Sequence, residues 1–354
     1  RDADVTGVQT CALPIFGHAP QDRTIVLVDD PSNVSNGMMV PGPLLYLWPA
    51  PPGPRSFVGE TRGWAEVLAV HEFAHAAHLT RPTRNPRLRF LWDLMPIPVY
   101  PIMVRTPRWA IEGYATYVEG RLTGSGRPHG AWRPAVLRTW ALEGQLPTYA
   151  ALNGSSGFYG GSMAYLVGSA YLEWLVKREG RGERVLPDIW RRLTARQVRS
   201  FDAAFDGVFG APPTELYGLF AVDVTRRALA VRDAIAAAGG VVDGELFQRL
   251  SWNTGDPDVS PDGEHLALVL RARGQPSRLV VISTTPDTLT TEERQRRDRI
   301  FAADPEDVPP VERRPRPQKP LATLEPHAGR EYARPAFMPD GQGILVVRDD
   351  VVGN

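Results

Sequence analysis

Apolar positions run together at the start of the chain and then shift to helical spacing. Thr24–Asp29 (TIVLVD) predicts a strand. A Ser/Asn/Gly turn and a second apolar run at Gly42–Trp48 follow, and Pro-rich punctuation at 49–54 closes the strand region. From Trp64 to Leu79 the apolar spacing becomes helical. Residues 81–105 predict a long connection rich in Pro, Arg and large apolar side chains. A second helix is expected with Thr106 as N-cap and Pro107 at its first helical position, ending near Glu119-Gly120. A third is expected over roughly Ser162–Glu179, stopped by Gly180. Helical patterns recur near 184–195, 199–207 and 213–238. A small sheet followed by many helices predicts an α+β class for residues 17–240.

Beyond Gly239-Gly240 the pattern changes, and residues 241–354 predict a second, all-β domain. Asp256-Pro257-Asp258-Val259-Ser260-Pro261-Asp262-Gly263 is followed by an apolar run at His265–Leu270. The order recurs in Arg334-Pro335-Ala336-Phe337-Met338-Pro339-Asp340-Gly341 and Ile344–Arg348, 78 residues later. Asp-Gly supplies the positive φ of a tight hairpin. Such a repeat points to stacked β-blades, although the offset is nearly twice the roughly 40–45 residues of a four-stranded blade. Residues 284–325, rich in Pro, Arg, Glu and Asp, are expected to be a disordered insertion.

Composition narrows the partners. The chain of 354 residues is 43% hydrophobic and 23% charged, as in ordinary globular proteins. Its formal net charge of zero gives no support for nucleic acid or an acidic membrane surface as a partner. No run approaches the roughly 18 apolar residues of a membrane span. Cys11 is the only cysteine, so a metal site would have to use His and carboxylates. Residues 1–16 (RDADVTGVQTCALPIF) lack periodicity and resemble translated adapter sequence. The natural N-terminus, with any signal peptide, is expected to be missing, and the other end is expected to be truncated as well.

His71-Glu72-Phe73-Ala74-His75 is an HExxH sequence in a helical setting. Residues four apart share a helix face, so both imidazoles can reach one ion, while Glu72 is rotated by about 100° toward a water on that ion. Glu112 interrupts the otherwise largely apolar stretch Trp109–Val118. A carboxylate in such surroundings needs a partner, and a metal is a good one. Two His and one Glu leave a fourth position open for water.

His71-Glu72-x-x-His75, followed by Trp109-x-x-Glu112-Gly113-x-Ala115-x-Tyr117-x-Glu119, resembles the pattern of the gluzincins, the clan of thermolysin and aminopeptidase N. The likeness is nearest to the bacterial peptidase-MA-like branch and covers roughly residues 20–240. It implies a zincin-like domain with one zinc ion on His71, His75 and Glu112, Glu72 as general base, and a peptide or protein substrate. Glu119 matches an acidic residue that acts from behind a metal ligand, though a solvated Glu near the helix end fits the sequence equally well. Tyr165-Leu166-Val167-Gly168 resembles the Tyr-x-x-Gly segment whose tyrosine donates to the oxyanion; the alternative is that Tyr165 and Tyr171 simply pack a helix. His78 extends the motif without the Gly that metzincins require and is expected to be a structural or surface histidine.

Two departures from the family matter. Between His75 and Glu112 lie 36 residues, more than in the best-known members. No Gly-x-Met-Glu-Asn exopeptidase motif occurs, and the nearest string, Asn36-Gly37-Met38-Met39, offers no acid to hold a free amino terminus. The string, with Gly37 and Met38, is instead expected to lead into an edge strand that pairs with extended substrate, which suits an endopeptidase. The repeats resemble the TolB-type β-propeller, built around a Ser-Pro-Asp-Gly turn, and imply one or two blades that bind a protein partner or gate access to the peptidase; a plain β-sandwich stays open. The resemblance also implies export in a bacterium, to the periplasm or beyond. Two alternatives stay open on sequence: a catalytically silent scaffold that binds through the propeller, and a zinc hydrolase of non-peptide amides.

Overall fold

The computed structural model describes residues 25–29, 35–40, 44–50, 52, 63–154, 157–242, 244, 247, 253–271, 277–285, 290–307, 319–327 and 330–350. The adapter-like segment 1–16 lies outside the described residues. The chain mixes small sheets with a helical majority, an α+β composition, and divides into two compact units at Val241/Val242.

The first unit opens with a three-stranded sheet of β1 (Ile25–Val28), β2 (Ser35–Val40) and β3 (Leu44–Pro49). The order is β1-β3-β2, with β1 parallel and β2 antiparallel to the central β3. Nothing β-branched precedes Val40 in β2, so that strand owes its conformation to pairing with β3 rather than to its own residues. Leu45 and Leu47 are buried on one face of β3, and α1 (Trp64–Leu79) packs on β2 and β3.

Residues 81–105, expected as a connection, contain two short helices, α2 (Pro86–Asp93) and α3 (Pro101–Arg105). Each begins with proline, which is preset for the first helical position. Their shortness and lack of an apolar period hid them in the sequence. Thr106 closes α3, its N–H donating to the Ile102 carbonyl, and Pro107 takes the N-cap of α4 (Arg108–Thr123). The helix therefore starts one residue later than the cap pattern suggested. It also runs past the expected stop at Gly120 to Gly124, where φ is 63°.

After a 3₁₀ turn at Arg127–His129 come α5 (Trp132–Leu142), the short α6 (Tyr149–Leu152) and a π-turn at Phe158–Ser162. Then follow α7 (Ala164–Glu179), α8 (Val185–Leu193), α9 (Phe201–Phe209) and α10 (Pro213–Ala237). Gly180, in the left-handed conformation at φ 66°, ends α7 as its position predicts. The core gathers Trp109, Tyr114, Tyr171, Trp190, Phe205 and Phe220, all fully buried. At its centre α4 crosses α7 at Gly113 and Gly168. A Cβ on Gly168 would lie 2.3 Å from the Trp109 carbonyl oxygen. Only glycine allows the two backbones this close, and the crossing fixes α7 against α4.

The second unit contains an antiparallel four-stranded sheet of β4 (Asn253–Val259), β5 (His265–Arg271), β6 (Arg278–Ser283) and β7 (Ala322–Leu324). A separate hairpin joins β8 (Arg330–Phe337) to β9 (Ile344–Asp350). The sequence repeat is a repeat of backbone detail. Bulges fall between Gly255 and Asp258 and between Ala333 and Ala336, and Asp256 and Arg334 share a positive φ, 52° and 48°. The turns match as well: Ser260 N–H donates to the His265 carbonyl at 2.9 Å, and Met338 N–H to that of Gly343 at 2.8 Å. Asp258 accepts from the Phe337 N–H at 2.6 Å, which ties the first hairpin to the second.

The insertion expected to be disordered is in part ordered. Residues 291–303 form α11 (Thr291–Ala303), started by a capping box in which Thr290 and Glu293 bond reciprocally to each other's backbone. A polar composition was taken for disorder, whereas a full cap and good helix formers stabilise a helix that buries no residue. Residues 308–318 of the insertion lie outside the described residues. Strand β7 (Ala322–Leu324) also falls within residues 284–325, and the stretch between β6 and β7 lengthens the spacing of the two repeats. Among the described residues no ring of blades closes.

Candidate metal centre

Two helices supply the site. His71 and His75 project one turn apart from α1, and Glu112 faces them from the first turns of α4. Glu112 Oε2 lies 3.5 Å from His71 Nε2 and 3.2 Å from His75 Nε2. One ligand atom from each of the three residues falls within 4.8 Å of the others, a spacing that could hold a metal ion. In a tetrahedral site with bonds of roughly 2.0–2.1 Å, neighbouring ligand atoms lie about 3.4 Å apart. The donor set thus fits a small divalent cation that accepts nitrogen and oxygen.

Glu119, two turns beyond Glu112, has no exposed surface. His71 Nδ1 donates to its Oε2 at 2.8 Å, which leaves Nε2 free to face Glu112. Arg127 holds the same carboxylate twice, its N–H donating to Oε1 at 3.0 Å and Nη1 to Oε2 at 2.7 Å. The solvated alternative for Glu119 does not hold, since the residue is fully buried and bonded to His71 and Arg127.

The charges are mutually dependent. Burial disfavours a charged His71, but hydrogen bonds to Glu112 and Glu119 outweigh it and raise its pKa to about 9. Burial also works against ionised Glu112, and the bonds to His71 and His75 prevail, holding its carboxyl well below the usual range. Glu119 is likewise kept ionised, against its burial, mainly by Arg127 and His71.

Glu72 is buried and lines a cleft of about 580 Å³ together with Gly37, Met38, Trp48, His71, His75 and Tyr165. Gly37 lies over it so closely that a Cβ there would sit 2.6 Å from Glu72 Cγ and Oε1. Among the described strands β2 is an edge, so Gly37 and Met38 stand in an edge strand itself, not in a segment leading to one.

Tyr165 lies at the start of α7 with its ring stacked on His71, centroids 5.8 Å apart. Burial, with the Glu112 charge adding to it, pushes its phenol up to about 12. Tyr171 has the packing role: it is fully buried, and its hydroxyl donates to the Pro213 carbonyl at 2.8 Å. His78 is buried, not at the surface. Its Nδ1 donates to the Ala74 carbonyl, its ring packs edge-on against Tyr114, and burial lowers its pKa to about 3.

Two residues of the site were missed in the sequence. Arg108 lies 3.3 Å from Glu112 Oε1 and donates to the Tyr165 hydroxyl at 3.2 Å. Arg127 covers the Tyr165 ring, its Cζ 4.7 Å from the centroid. The signal for Arg108 was its position one helical turn before Glu112; Arg127 reaches the site from the start of the 3₁₀ turn and left no periodic trace.

No family model, no curated protein and no solved structure matches the chain.

Proposed function

We propose that the first unit is a zinc-dependent peptidase with a zincin-like fold, acting on internal peptide bonds. The observation that carries this is the convergence of His71, His75 and Glu112 within 4.8 Å, with Glu72 beside them in an open cleft. A bound zinc would be held by His71 Nε2, His75 Nε2 and a Glu112 oxygen, and would supply Lewis acidity toward water and the scissile carbonyl. Glu72 takes the proton of the attacking water and passes it to the leaving amine. Tyr165, protonated throughout the neutral range, donates its O–H to the oxyanion of the tetrahedral intermediate. Arg108, beside the phenol oxygen, keeps that hydroxyl near the cleft.

The edge position of β2 supports an extended substrate lying along Gly37 and Met38. The acids among the described cleft residues are Glu72, Glu112 and Glu119, assigned to the proton, to the metal and to His71, so among the described residues of the cleft no carboxylate is left for an amino-terminal anchor. In the second unit, the repeated hairpins support blades of a propeller type that binds a protein partner.

The test is digestion of a peptide library and of a denatured protein by the full chain and by its Glu72→Gln variant. Internal cleavage that phenanthroline abolishes, and that falls at least about 1,000-fold in the variant with metal content unchanged, is expected. A Glu72→Gln variant that cleaves at the wild-type rate removes Glu72 from the reaction. Products shortened only one residue at a time exclude the endopeptidase assignment.

A further inference from the structure

The segment between the two halves of the metal centre carries a surface that the peptidase chemistry does not use. Helix α2 buries none of its residues. Around it and the following turn, Phe90, Leu91, Leu94, Met95 and Ile97 are 69%, 54%, 67%, 52% and 62% exposed. Five large apolar side chains within eight residues make a patch of the kind that marks an interaction site. The projection has a fixed base. Asn85 caps α2 by accepting from the Arg87 and Leu88 N–H groups, and its Nδ2 donates to the Arg196 carbonyl at 2.6 Å. Arg84 Nη2 donates to the Arg191 carbonyl at 2.7 Å.

Charge selects the partner. Between Arg81 and Arg108 the sequence holds six arginines (81, 84, 87, 89, 105 and 108) and one acid, Asp93, in a chain whose net charge is zero. Arg84, Arg87 and Arg89 are exposed beside the apolar residues. Trp92, partly buried, lies under the Arg105 guanidinium at 5.8 Å. Aliphatic and aromatic side chains bordered by guanidinium groups are the composition that enters the headgroup boundary of an anionic bilayer. At eight residues α2 cannot cross a membrane, and no described helix is long and apolar enough to do so.

We propose that residues 84–98 seat the protein on an anionic lipid surface by shallow insertion of Phe90, Leu91, Leu94, Met95 and Ile97, with Arg87 and Arg89 on the headgroups. This binding is independent of the peptidase assignment, because it is read without turnover.

The experiment is sedimentation of the full chain with vesicles of phosphatidylcholine alone or with phosphatidylserine added. The wild type is expected to sediment with the anionic vesicles and to release as salt is raised. Binding is expected to fall about tenfold or more on phosphatidylcholine alone, in Phe90→Ser/Leu94→Ser/Ile97→Ser and in Arg87→Glu/Arg89→Glu. Unchanged melting temperatures of both variants establish that they are folded. Absence of wild-type sedimentation overturns the proposal, as does binding that neither set of substitutions weakens. If light scattering instead shows a dimer that the triple-serine variant dissociates, while vesicles are not bound, the face belongs to a second copy of the chain and the lipid assignment fails.

Discussion

At the scale of single residues the site is a chain of charges, each holding the next: Arg127 on Glu119, Glu119 on His71, His71 on Glu112. The pH dependence of the metal-free protein follows from it. His71 has its pKa raised from 6.5 to about 9, so its stabilising share is complete below 6.5 and is lost as pH rises through 9. Glu112 is depressed below 4.5, so its share is present above that value and is lost as pH falls below it. Glu119 acts in the same sense. His78, kept neutral by burial with its pKa lowered to about 3, withdraws stability as pH falls below 6.5, so the melting temperature of metal-free protein is expected to be highest near pH 6.5 and to fall as pH rises through 9. A metal-free protein that becomes more stable from pH 7 to pH 9.5 would contradict the His71–Glu112–Glu119 pairing. Much of this chain was legible in the sequence, because His71 and His75 are a helical turn apart and Glu112 and Glu119 two turns apart. Arg127 was not, because its contact depends on where the 3₁₀ turn returns.

Among the elements, the crossing of α4 and α7 decides whether Tyr165 meets His71. Gly168→Ala would place a Cβ 2.3 Å from the Trp109 carbonyl and 3.2 Å from Gly113 Cα, where neither backbone can yield cheaply. Overpacking of this kind costs about 1–3 kcal/mol, to be read as a lower melting temperature. A melting temperature equal to that of the wild type would mean that the helices are not held at this distance. Both glycines stood in sequence motifs, Gly113 after Glu112 and Gly168 after Tyr165, but nothing in a sequence says which glycine faces which. The elements that escaped sequence analysis share a physical reason. Helix α11 is mostly polar and buries no residue, α2 projects into solvent, and β2 is a strand through its partner. In each case the conformation comes from caps or pairing and not from an apolar period.

For the whole molecule, the repeat in the second unit was visible as sequence and returned as backbone, with matching bulges, turns and positive-φ residues. Its spacing was lengthened by the insertion that carries α11. In the first unit, a bound ion would tie α1 to α4 across the 36 residues between His75 and Glu112, a stretch that includes the apolar projection of α2. Ligation of this kind stabilises the folded chain by mass action, so metal loading is expected to raise the melting temperature of the unit. The most direct measurement is the metal content of the purified full chain and of its Glu112→Ala variant, by mass spectrometry of the bound element after dialysis. About one zinc per chain in the wild type, with most of it lost from the variant, is expected from three protein ligands. A wild type that holds no metal after zinc loading, or a variant that keeps the full complement, would contradict the assignment of His71, His75 and Glu112 as a metal centre.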